Sequence, residues 1–147
     1  MAGGHRDIDR TDEVVRDIED GLGDYVQAVY EETLKQILKN MASGKDAMGR
    51  SWTPLQPETV AAKGSSTPLV DEGDLMDSIE RDSYVDTKVP VAVFSSKLAY
   101  AGTHEFGFPE QNIPPRPFLQ PGVEYAASIT NEVWQEEVDA AVQADLL

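Results

Sequence analysis

The sequence contains no cysteine, which excludes disulfides, thiolate metal clusters and cysteine nucleophiles together. No apolar run approaches the roughly 18 residues that a membrane-spanning helix needs, so none is expected. The first ten residues, MAGGHRDIDR, place no apolar stretch behind their positive charges and do not read as a secretory signal. Histidine occurs twice and aromatic residues make up 7% of the chain. Positive charge is scarce as well: 12 Lys and Arg face 27 Asp and Glu, for a net charge of −15. The acids are spread along the chain rather than gathered in a tail. Such a surface repels nucleic acid and anionic lipid, so neither phosphate binding nor a membrane partner is expected.

Aspartate slightly outnumbers glutamate and lysine is scarce, a composition similar to that of proteins from salt-loving organisms. Dense counterions there screen the self-repulsion. At roughly 0.01 M salt the repulsion still reaches over about 30 Å. The melting temperature is therefore expected to rise steeply from dilute buffer to molar KCl, and a flat or falling curve in calorimetry would count against a halophilic origin.

At 147 residues the chain is about one domain long. Residues 1–10 are polar and expected to be mobile, with a single domain over 11–147. From Thr11, apolar residues at Val14, Val15, Ile18, Leu22, Tyr25, Val26, Val29, Ile37 and Met41 keep helical spacing. Gly21 and Gly23 weaken this helix and make a kink or break there credible. Residues 43–70 lack periodicity and read as a long loop, with a short helical turn at Pro57–Lys63. LVDEGDLMDSI then leads through Gly73 and a helical turn into a strand beginning near Ser78. A hairpin is expected over 79–86 and 89–95, Pro90 marking an edge or a strand start. A short helix over Leu98–Phe106 ends at Gly107, a proline arm follows, and a closing helix begins at Pro121. The fold class is α+β: long N-terminal helix, long loop, β-hairpin, short helix, proline arm, C-terminal helix.

His104 beside Glu105 invites a metal or acid–base reading. Adjacent helical residues point about 100° apart, however, and HEFGF lacks the second histidine of a zincin. The other histidine, His5, lies in the N-terminal segment, and Ser95 and Ser96 sit in no nucleophile elbow. A halophilic metal-dependent enzyme would need a third ligand that the sequence does not offer. The plainer expectation is that His104 packs or caps at a helix end while Glu105 pairs with a cation. Trp52, in a polar loop, could stack on a base or sugar, but the acidic surface favours an anchor, with Leu55 beside it. In IPPRPFL the prolines fix φ and extend the chain. Arg116 is thereby expected to point outward for subunit contact, while Phe118 and Leu119 tuck into the core.

Three pieces follow in a fixed order: GRSWTPLQPETVAAKG, LVDEGDLMDSI and YAGTHEFGFPEQNIPPRPFL. In that order and spacing the chain resembles the tail-completion family of small virion-morphogenesis proteins of tailed viruses. The likeness covers Gly49 to Leu119, about half the chain. By position, Trp52, Pro54, Leu55, Thr59 and Lys63 match the family's loop, and Leu69, Asp71, Gly73, Leu75, Ser78 and Ile79 its turn. Tyr100, Ala101, His104, Glu105, Phe106 and Gly107 match the short helix, and Ile113, Pro114, Arg116, Pro117, Phe118 and Leu119 the arm. DEG stands where DTG is commoner, and the flanking helices are unusually acidic.

The resemblance implies a non-enzymatic structural protein of the virion neck, without cofactor or metal, from a haloarchaeal tailed virus. Such a protein would be assembled in the host cytoplasm. It would form a ring with copies of itself, often six, joining the tail tube or terminator to the connector or stopper of the head. Viral DNA would pass through it without specific binding. A tail terminator or another neck ring, adaptor or stopper, is the alternative.

Overall fold

A computed structural model describes residues 3–63, 68–69 and 73–146; Asp71, expected at the turn, lies outside the described residues. The chain is mostly helical. Helix α1 runs Gly3–Met41, α2 Pro57–Lys63 and α3 Asp74–Asp82; strands β1 (Tyr84–Asp86) and β2 (Val91–Val93) follow. Then come α4 (Ala101–Phe106), a 3-10 turn at Pro109–Gln111, and α5 (Gln120–Trp134). A π turn at Gln135–Asp139 carries α5 into α6, Ala140–Leu146.

Helix α1 begins earlier than its apolar spacing suggests. Residues 3–10 are part of the helix, because nothing between His5 and Asp20 is a glycine or proline that would stop the turn. The helix also passes Gly21 and Gly23 without a break. At Gly23 a side chain would come within 3.1 Å of the Thr87 carbonyl oxygen and 3.2 Å of its Cβ. The glycine is what lets the hairpin turn rest directly on the helix.

The strand expected near Ser78 is instead helix α3. Leu75, Ser78 and Ile79 are buried at positions i, i+3 and i+4, one helical face. Ser78 Oγ donates to the Leu75 carbonyl at 2.7 Å and lies 2.6 Å from Ser96 Oγ, so its hydroxyl is satisfied within the fold. The hairpin is consequently short. Its antiparallel register pairs Tyr84 with Val93, Val85 with Ala92 and Asp86 with Val91, and Val89 falls in the turn.

The core forms where the C-terminal half of α1 meets α3, the arm and α5. Ile37, Met41, Ile79 and Phe118 are at most 1% exposed there, joined by Trp52, Leu69, Leu75 and Ala101. Tyr30 stacks on Phe94 at 5.6 Å, which ties the hairpin to α1.

Asp82, at the end of α3, fastens the segment after β2. Its carboxylate accepts from the Lys97 backbone N–H at 2.8 Å and from Arg81 Nε at 3.1 Å. The Lys97 hydrogen bond first, and Arg81 second, hold this carboxyl below the usual carboxylate range. A pKa depressed by folding contributes stability above its unfolded value, about 3.9, and that contribution disappears as pH falls through the lower folded value. Asp82→Asn is therefore expected to lower the melting temperature near neutral pH, with the gap from wild type closing in acid. A gap that does not depend on pH would contradict this assignment.

Candidate functional site

The segments singled out by motif meet at one place, the junction of the loop after α1, helix α4, the arm and the start of α5. The loop is shaped first by Asp46, 3% exposed. Its Oδ1 accepts from the backbone N–H groups of Met48 and Arg50, and its Oδ2 from Arg50 Nε at 2.7 Å. Asn40 Nδ2 donates to the Asp46 carbonyl at 2.8 Å, binding the turn to the end of α1. Gly49, at φ 85°, supplies the left-handed residue that the turn requires.

This turn delivers Trp52 to the core. Its indole Nε1–H donates to the Pro117 carbonyl at 2.8 Å, so the loop is pinned to the arm as well as buried. Leu55 is only half-buried and lies farther out, beside the arm residues Ile113 and Pro114.

Arg116 does not point outward. It is 6% exposed, Nε donating to the Thr53 carbonyl at 2.8 Å and an Nη to the Pro54 carbonyl at 3.2 Å. The arm is rigid as expected, but its fixed φ angles say nothing about which face turns inward. Pro115 faces solvent, while Arg116 and Phe118 are buried. Burial lowers the pKa of the guanidinium, although it remains charged.

Glu105 pairs with no cation among the described ion pairs. It lies 8% exposed at the N-terminus of α5. Its Oε2 accepts from the N–H groups of Phe118 at 2.7 Å and Leu119 at 3.0 Å, and its Oε1 from that of Gln120 at 2.9 Å. A helix start leaves N–H groups without partners and carries partial positive charge. α5 begins with proline near its first position and Leu119 before it, so no local side chain caps it. Glu105 supplies that cap from a distant helix.

His104 and Glu105 are thus directed apart. The His104 ring meets Tyr100 edge-on at 5.7 Å, and its backbone carbonyl accepts from the Arg116 N–H at 2.7 Å. Gly107 ends α4 at φ 76°, ψ 169°. Past it, Phe108 and Ile113 form an antiparallel bridge around the 3-10 turn, and Asn112 takes the left-handed conformation at φ 55°. Gly73, at φ 78°, opens α3. Pro114 is half-buried at the head of the arm, and Leu119 packs against the core.

The geometry can hold three segments rigidly together, and the Glu105 carboxylate and Arg116 guanidinium, the groups with chemical potential here, are directed at backbone groups. Among the described residues no cluster of three His, Cys, Asp or Glu is arranged to hold a metal, and no helix is long and apolar enough to cross a membrane. Sequence reasoning missed Asp46 and the capping role of Glu105. For Glu105 a signal existed: Pro121 marks a helix start with no Ser, Thr, Asp or Asn placed to cap it.

No protein-family model matches the chain, and no solved structure matches it. An uncharacterized protein of Methanocaldococcus jannaschii is 31% identical over 100 residues, spanning 65% of this chain and 73% of that protein.

Proposed function

We propose that this chain, which belongs to the same family as the Methanocaldococcus jannaschii protein, is a structural protein of a tailed-virus neck that completes the tail and joins it to the head. One observation carries the reading. The loop, short helix and arm that resemble the tail-completion family interlock through hydrogen bonds that Trp52 and Arg116 donate to backbone carbonyls and that Glu105 accepts from backbone N–H groups. These side chains are spent on rigidity, as a component that must bear load between neighbours requires.

The surface supports the same reading. Phe106 is 81% exposed and Val123 55%. Together with Ala101, Gly102 and Leu119 they line an apolar groove beside the junction, where contact with another copy would bury them. The acids of the long helices, such as Asp20, Asp24, Glu31 and Glu32, are exposed and would repel DNA from a channel wall. An archaeal relative fits a virus of an archaeal host.

Purified protein in molar KCl should form closed rings with a central opening in electron micrographs. A monomer under those conditions at micromolar concentration would contradict the ring.

A further inference from the structure

We propose that the cavity in front of Arg116 is a receiving site for a carboxylate. The cavity, about 430 Å³, lies between the loop after α1, helix α2 and the arm, and Arg116 forms part of its wall. Two donors of the guanidinium are engaged by the Thr53 and Pro54 carbonyls. The ion pairs among the described residues belong to Arg50 and Arg81, so Arg116 is a charge 94% withdrawn from water with no described counter-charge. Burying a charge in this way is costly, and carbonyl dipoles offset only part of the cost. Burial lowers its pKa with no opposing contribution from any described acid.

The rest of the wall suits an anion with few charges of its own. Gln56, Thr59, Gln111 and Asn112 bring neutral hydrogen-bonding side chains, while Glu58 is the one acid among the described wall residues. A single guanidinium matches a singly charged carboxylate, to which its planar fork is fitted. A phosphate dianion would leave charge uncompensated on a chain already at −15. The site is independent of the neck assignment, since it rests on Arg116 and the cavity alone.

The test uses the fluorescence of Trp52, whose indole is bonded to the neighbouring Pro117 carbonyl, in a Trp134→Phe background. KCl is replaced by potassium formate at constant ionic strength. A saturable change in emission is expected, with half-saturation shifted at least tenfold upward in Arg116→Lys. Should that variant not fold, Gln56→Glu places a carboxylate on the cavity wall; it should abolish the formate response and raise the melting temperature. In the same samples, formate-driven dissociation of an oligomer identifies a second copy as the natural donor, and an unchanged mass identifies a free carboxylate; either keeps the site. No saturable change overturns the proposal, as does an equal change in the variants. Tighter binding of inorganic phosphate overturns it too, as does a response that appears only after Asp71→Asn.

Discussion

Glu105→Ala lowers the stability by about 3–5 kcal/mol, a loss set by one buried and two partly buried N–H groups that lose a charged acceptor. The carboxylate is 8% exposed and receives the N–H groups of Phe118, Leu119 and Gln120 between 2.7 and 3.0 Å. Water has little access to replace it, and the first turn of α5 has no cap of its own. Total stability for such a domain is about 5–15 kcal/mol, so the variant sits near the edge of folding. In calorimetry the melting temperature should fall by roughly 10 °C or more. Glu105→Gln keeps the shape but replaces one acceptor oxygen with a donor, and should lose about half as much. If both variants melt like wild type, Glu105 does not hold the helix.

Gly107→Ala should be nearly as damaging, for a different reason. At φ 76°, ψ 169° the residue lies in a region that is essentially restricted to glycine. An added Cβ would also approach Pro115 N to 2.8 Å, Pro115 Cδ to 2.9 Å and the Ile113 carbonyl oxygen to 3.0 Å. These are ring and backbone atoms of a proline-fixed arm and cannot swing aside. Conformational strain and overlap together give an expected loss of about 3–5 kcal/mol, read from urea unfolding. Gly122→Ala is the informative contrast. There the added atom meets Ile37 Cδ1 at 2.5 Å, the end of a side chain that can change rotamer, and the loss should be roughly 1–3 kcal/mol. Equal losses at the two positions would show that the arm yields as easily as a side chain.

The long N-terminal helix, the short helix Pro57–Lys63, the hairpin and the closing helix were legible because each is periodic or punctuated by proline and glycine. Where the reading failed, the deciding contact was distant in sequence. Gly23 looked like a helix breaker, but its missing side chain serves the approach of Thr87, some 60 residues away. Residues 74–82 alternate poorly as a strand and bury one helical face instead, a face recognisable only once α1 and the arm supply its partners. Rigidity of the arm followed from its prolines, whereas the inward turn of Arg116 followed from carbonyls at Thr53 and Pro54 that the local sequence does not advertise. Glu105 was read as a partner for a cation, because a helix N-terminus thirteen residues onward offers charge without carrying a basic side chain.

The most direct test of the central claim, that this chain is a component of a tailed-virus neck, is electron microscopy of virus particles produced with its coding sequence intact and interrupted. A neck component predicts filled heads and separate tails accumulating without joining when the chain is missing, and joined particles again when it is supplied in trans. Normal numbers of joined, infectious particles in its absence would contradict the account.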